Sequence, residues 1–506
     1  MWQVLIQYSL NFPTRKVLKN LDISRKINIK IQTTASKYDI IVSTKKLQKE
    51  VLSVETIITE KIYKEQEKNA IIFRFFKKFN VGGILAKSNF YKEKGTHPVE
   101  LLKYLFELVF TNKNLYRSYS SNPLTGKSKN TCYRFLNSPV YDWCKLLYQI
   151  AIQVILSILP LTSQNRENVL IVDDTLYSRN RSKKVDMLTK VYDHNTNKYL
   201  KGFKLLTLAW SDGNTTIPLA FRHLVSTNPQ MVINNIPDKM DKRTRAYKLR
   251  KKAQYTPVEA MFDLIDNIDL KQLKVKYLLF DSWFAFPSVI MKAYTKGLDV
   301  ICMLKQMHHV YYEYNGNKYN LKELYKAIKH NKNGEVSASI KCTILKGEEK
   351  QLVKIVFLRT NQGKNWIALL STNTELEDEE IIRIYGKRWN IEVMFKTSKH
   401  FLHLDTEAQG RSFESVYAQT TIVFLRYIML AYEARNSQDL KTCGDLLFYV
   451  CDEMKDISFL ESLMILLKCF CAAVKKQLVL TENQINEMIY IFINQIPHCL
   501  RINLNY

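Results

Sequence analysis

The chain has 506 residues, 46% of them hydrophobic and 24% charged, a balance that excludes a disordered or low-complexity protein and provides for two or three domains. Lys and Arg number 75 against 48 Asp and Glu, and the net charge of +27 suits a polyanionic partner such as nucleic acid. Nine cysteines without a Cys-x-x-Cys pair, and nine histidines without ligand spacing beside them, argue against a structural zinc site.

In chain order, residues 1–65 are basic and weakly patterned, and no fold is assigned to them. The N-terminus shows no basic leader or small-residue cleavage site, and the longest apolar stretch, read near Ala151 to Leu161, is short for a membrane span and contains Gln153. A cytoplasmic protein is expected. Apolar spacing predicts helices over 98–110 and 141–158. Between them Lys113 to Arg134 is polar and basic, a long loop entering a helix near Lys129; it suits recognition of a DNA sequence or ordinary solvation equally.

The segment NVLIVDDT predicts a buried central strand ending at Asp173 and Asp174. Adjacent strand residues point to opposite faces, so only one of the two aspartates can serve a site on either face, and the apolar run before them does not say which. Four basic residues, Arg179, Arg181, Lys183 and Lys184, follow directly. GFKLLTLAWS and TTIPLAFRHL form a meander through a tight turn at Gly213-Asn214. A second basic cluster, Lys242 to Lys252, reads as a loop whose Arg245, Lys248 and Arg250 contact phosphates, with a solvated surface as the alternative. A helix over 257–268, a strand over Tyr277 to Phe280 ending in Asp281, a helix over 286–294 and the strand LDVICMLK follow. Three strand-like runs come next: SIKCTIL, VKIVFLRT and NWIALLST.

The segment YGKRWNIEVMFKTSK then sets Tyr385, Arg388, Glu392 and Lys399 on one predicted helix. At about 100° per residue the last three fall roughly 60°, 20° and 40° behind Tyr385, a narrow polar face with one metal-type carboxylate among phosphate-type donors. Beyond it, 413–436 predicts a long apolar helix, and 439–480 is helical again. Strand-end carboxylates and a helical Glu that are far apart in sequence suit a pair of divalent cations working on a phosphodiester.

With Asp174-Thr175, Asp281 and the full Tyr-Arg-Glu-Lys signature in place, residues 165–435 resemble the DDE transposases of bacterial insertion sequences, family-four type. The resemblance implies an α/β protein with a ribonuclease H-like catalytic domain in two parts, 165–305 and 379–435. A β-rich insertion over 306–378 would separate them. The flanks, 1–164 and 436–506, would be mainly helical, the first binding DNA ends and the second serving dimerisation. Relatives place the ligand aspartate before threonine, so Asp174, Asp281 and Glu392 are expected to be catalytic and to hold two Mg2+ ions, with Mn2+ as a substitute. Tyr385, Arg388 and Lys399 would contact DNA phosphates. The implied reaction is hydrolysis at the element ends followed by attack of the freed 3′-hydroxyl on target DNA. Double-stranded DNA and a second copy of the chain would be the partners, in a prokaryotic nucleoid and away from membranes. Two other functions share these features: a transposase-derived DNA-binding protein, which would not need the carboxylates, and a metal-dependent nuclease that cuts without joining. Some relatives stack a flipped base on an aromatic of the insertion; Trp366 fits that role or a core strand, while Trp283 and Trp389 read as packing residues.

Overall fold

A computed structural model describes residues 70–457, apart from 117, 119–128, 164–165, 194–195, 238–239, 332–333, 361–364, 408–409, 437–441 and 456, and beyond them Gln484, Glu487 and Ile491. The chain divides into one unit of Tyr63–Leu463 and another of Met1–Ile62 with Met464–Tyr506, and the elements that follow all lie in the first. Expectations for residues 1–65 and for most of 456–480 lie outside the described residues.

Helices α1 (Ile71–Lys78), α2 (Val81–Lys87), α3 (Pro98–Glu107), α4 (Lys129–Leu136) and α5 (Trp143–Ile158) lead in. Their starts follow local chemistry. Pro98 opens α3, where a missing N–H costs nothing, and the Asp142 side chain accepts the Lys145 N–H at 2.7 Å to cap α5. With the 3-10 turn that follows, Trp143–Leu161 forms a 19-residue apolar segment of mean hydropathy 1.7, long enough to cross a membrane by length and composition. It is longer than the stretch read from sequence. It packs against the chain's own core, burying Leu146, Leu147, Ile150, Ala151, Val154 and Ile155 in contact with the strand Thr216–Leu224 and the helix Phe413–Asn436.

Eleven strands then form one mixed sheet. Its first half comprises β1 (Asn168–Ser178), β2 (Thr189–Asp193), β3 (Lys198–Ser211), β4 (Thr216–Leu224), β5 (Val275–Phe280) and β6 (Asp299–Met303). β1 is central, antiparallel to β3 on one side and parallel to β5 on the other, and β5 is parallel to β6. β4 lies beyond β3, joined to it by the expected turn, where Gly213 takes a positive φ of 96°. Helices α6 (Arg245–Ala253), α7 (Pro257–Ile265) and α8 (Pro287–Thr295) connect these strands. The basic run expected as a loop is thus largely the helix α6, started by Thr244, whose side chain accepts the Tyr247 N–H.

The stretch expected as a β-rich insertion contains β7 (Tyr311–Tyr314), β8 (Asn317–Asn320), helix α9 (Leu321–Ala327), β9 (Val336–Lys346), β10 (Glu349–Thr360) and β11 (Asn365–Ser371). It does not form a sheet of its own. β11 pairs with β6, and the ladder continues through β10, β9 and β7 to β8. Trp366 on β11 stacks on Tyr325 at 4.4 Å between ring centroids and meets Phe357 edge-on, so its ring is spent on packing.

The last helices are α10 (Asp378–Gly386), α11 (Trp389–His400) and α12 (Phe413–Asn436). α12 is buried along nearly its whole length, including Arg426, whose guanidinium is held by Glu407 and by the carbonyls of Leu105 and Phe106. A further helix covers residues 443–455.

Candidate active site

The strand carrying the paired aspartates does not stop at them. Its ladder with β3 runs on to Ser178 opposite Gly202, so Asp173 and Asp174 sit in mid-strand. Pairing with β5 brings Ile171 level with Leu279, and by the same register Asp173 stands level with Asp281, just past the end of β5. The fold therefore juxtaposes two residues far apart in sequence. Asp281 Oδ1 is fixed by the Trp283 N–H at 2.9 Å.

The signature residues do not share one unbroken helix. At Lys387 and Arg388 the chain stays right-handed, but backbone N–H groups of 387, 388, 390 and 391 bond three residues back, and α11 restarts at Trp389. The Lys387 ammonium donates to the Glu167 carbonyl at 2.6 Å and Asn390 to the Gly213 carbonyl at 3.2 Å, which pins this junction to the start of β1 and the β3–β4 turn. Arg388, at the junction, lies 3.6 Å from Asp173 and donates to Glu392 at 2.6 Å. Its guanidinium also stands 5.8 Å from the Tyr385 ring. At the far end of α11 Lys399 donates to Thr175 Oγ1 at 2.8 Å.

Strand alternation makes the consequence definite. Asp173 and Thr175 point to the α10–α11 side, whereas Asp174 points away and pairs with Lys204 of β3 at 2.9 Å. Asp174, expected among the site carboxylates, is thus placed on the other face. Asp173 meets Arg388 and is level with Asp281. Sequence alone held no local signal for this, because the pairing of Lys204 with Asp174 depends on a strand register that periodicity does not reveal.

Electrostatics single out the same residue. Burial, helped by the charges of Asp174 and Asp281, pushes the Asp173 carboxyl up to about 7, against the lowering effects of the Asp174 N–H and of Arg388. A carboxylate held that uncomfortably is stabilised by a cation. Burial also pushes the Tyr385 phenol up to about 12, and lowers the Lys399 ammonium, with Asp405 and Asp193 opposing. Among the described residues no three His, Cys, Asp or Glu side chains are close enough to hold a metal ion as they stand. Arg388 lies between two of the candidates, and its buried Nε has no hydrogen-bond partner among the described residues. The donor set is nonetheless the hard, all-oxygen one that Mg2+ and Mn2+ prefer.

The expected phosphate contacts on α6 divide. Arg250 is fully buried, its guanidinium held by Glu414 in two hydrogen bonds and by Asp186 at 2.5 Å, so it is a core residue and not a DNA contact. Arg245 is engaged by Asp142. Lys248 is exposed. Trp283 and Trp389, expected in packing, are 42% and 61% exposed beside Asp281 and Arg388, and the Lys204 ammonium sits 4.6 Å from the Trp283 ring.

No curated protein matches the chain. Residues 99–321 match the family described as DDE superfamily endonuclease, and residues 238–429 the family described as transposase DDE domain. Asp173 and Asp281 fall within the first, Asp281 and Glu392 within the second, and these overlapping matches support a DDE-superfamily transposase.

Proposed function

We propose that the protein is a DDE transposase that cuts double-stranded DNA at the ends of an insertion element and joins the freed 3′-hydroxyl to target DNA. The observation that carries this is the meeting of Asp173, Asp281 and the Arg388–Glu392 pair on one side of the central strand. A ribonuclease H-like reading of the sheet is supported by its order β4-β3-β1-β5-β6, with the antiparallel meander on one side of β1 and parallel strands on the other. The Tyr385, Arg388, Glu392 and Lys399 spacing supports the family-four type.

Asp173, Asp281 and Glu392 would hold the divalent ions, Mg2+ or Mn2+, which supply an activated oxygen nucleophile and steady the leaving oxygen. The protein's own groups prepare that arrangement. Arg388 lies between Asp173 and Glu392 and has a buried Nε without a partner among the described residues, and an incoming phosphate offers it a bidentate anionic partner. Turning towards that phosphate leaves the carboxylates without their cation, in surroundings that disfavour bare charge. Lys399, on Thr175 two residues along the strand, adds a point charge for a neighbouring phosphate. Homodimer formation on DNA and a nucleoid location complete the proposal.

A plasmid carrying the coding segment with its flanks is the substrate for the test. Glu392→Gln is expected to keep DNA binding while Mg2+-dependent cutting falls by orders of magnitude; equal loss of both would contradict the assignment. The resemblance points to Asp174 and the geometry favours Asp173. Asp173→Asn should therefore abolish cutting and Asp174→Asn should leave a measurable fraction. The reverse order would return the ligand role to Asp174.

A further inference from the structure

The two basic clusters legible in the sequence are paired to different degrees in the fold. On and around α6 four of the seven basic side chains are paired within the chain: Arg243 with Asp241, Arg245 with Asp142, Arg250 with Glu414 and Asp186, and Lys252 with Asp263. The cluster after β1 is different. Arg181, Lys183 and Lys184 are exposed, and no described carboxylate lies within ion-pair distance of any of them. Together with Arg179 and Arg411 they line a cleft of about 840 Å³ in which Asp405 is the one lining carboxylate among the described residues.

The cleft is also built. Arg179, buried, donates to the Gly410 carbonyl at 2.7 Å, and its own N–H donates to the Lys201 carbonyl at 2.7 Å. Opposite walls are tied where the Asp186 N–H donates to the Arg411 carbonyl at 2.8 Å and the Ser178 N–H to Asp405 at 3.4 Å. Lys201 adds a bond from its ammonium to the Ser182 carbonyl at 3.4 Å. The basic side chains thus stand on a pinned frame. Ser178 is three residues along β1 from Thr175, the partner of Lys399, so the cleft opens where the candidate active site ends.

We propose that this cleft is a DNA-backbone track, holding phosphates of the strand that leaves the active site past Lys399. The assignment rests on the transposase reading and adds a location to it. Uncompensated charge on a fixed frame attracts a polyanion by counterion release without reading its sequence. Arg179 and Arg411 shape the track, and Arg181, Lys183 and Lys184 supply its outer phosphate partners.

The test measures binding of the full chain to a labelled random-sequence duplex by fluorescence anisotropy, in EDTA, between about 50 and 200 mM KCl. One variant carries Arg181→Gln, Lys183→Gln and Lys184→Gln. A control carries Lys318→Gln, Lys322→Gln and Lys326→Gln, the same charge change on exposed residues of the insertion. All six side chains are exposed, and a melting curve confirms that both variants fold. The expected result is a salt slope lowered by about 0.9 for each phosphate no longer neutralised, up to about 2.7, for the cleft variant alone. Equal effects in the two variants, or an unchanged slope in the cleft variant, would overturn the track. A wild-type chain that binds no duplex at any of these salt concentrations would instead sink the transposase reading itself.

Discussion

Arg250 shows how burial decides what a charge is for. It was a phosphate contact by composition, yet it is encased with Glu414 and Asp186, and removing one partner of such a group strands the others. Arg250→Met is expected to cost about 3–5 kcal/mol in urea unfolding, and adding Glu414→Leu to recover part of it. DNA binding at a temperature where the variant is folded should be unchanged. His223 is a second case. It lies among the rings of Tyr177, Phe203, Phe221, Phe413 and Tyr417, with Thr420 Oγ1 at 2.9 Å from Nε2, and burial pushes its imidazole down to about 3. In the unfolded chain it titrates near 6.5, so the unfolded state takes up a proton that the folded state refuses as pH falls through that value. Stability from this residue is complete above pH about 6.5 and declines below it, by about 2 kcal/mol at pH 5. The difference in urea midpoint between pH 7 and pH 5 should therefore shrink in His223→Gln, and an unaltered difference would mean that the ring is hydrated.

Among the elements, β1 and β3 carry most of the positional information, because their ladder sets which aspartate faces α11. Its far end depends on Gly202, where a Cβ would run into the Tyr177 carbonyl oxygen. Gly202→Ala should separate the strands there and cost about 1–3 kcal/mol. Hydrogen exchange would report it as faster exchange of the Arg179 amide, which bonds to the Lys201 carbonyl beside the substitution. Normal protection in the variant would show that β3 can shift without loosening β1. The α10–α11 junction is the other decisive element: its tightened turn, anchored through Lys387 and Asn390, aims Arg388 between Asp173 and Glu392.

At the scale of the whole unit, two strands and a helix from three parts of the chain carry one candidate site, so metal binding should report on global stability. If Asp173, Asp281 and Glu392 share divalent ions, Mg2+ at about ten times its dissociation constant should add roughly 1.4 kcal/mol. The melting temperature should rise with Mg2+ in the wild type and in Asp174→Asn, and stay flat in Asp173→Asn and Asp281→Asn. A rise of equal size in all four proteins would show that the ion binds elsewhere.

Much of this protein is determined by the sequence itself. Short apolar runs marked the strands around Asp173 and Asp281, the three strand-like runs that follow matched β9, β10 and β11, and Pro98 and Gly213 marked a start and a turn through their own backbone chemistry. The placement of Glu392 and Lys399 on one helix was readable because helical geometry is local, whereas the break before Trp389 was not. What only tertiary structure decided is which face each residue serves. The run Val169 to Val172 is apolar on both sides, so nothing local distinguishes Asp173 from Asp174; Lys204, Arg388 and the register with β5 do. The same holds for charge. Whether a basic side chain is available to DNA depends on carboxylates such as Asp142, Asp186 and Glu414, which reach Arg245 and Arg250 from elsewhere in the chain and, among the described residues, leave Arg181, Lys183 and Lys184 unmatched.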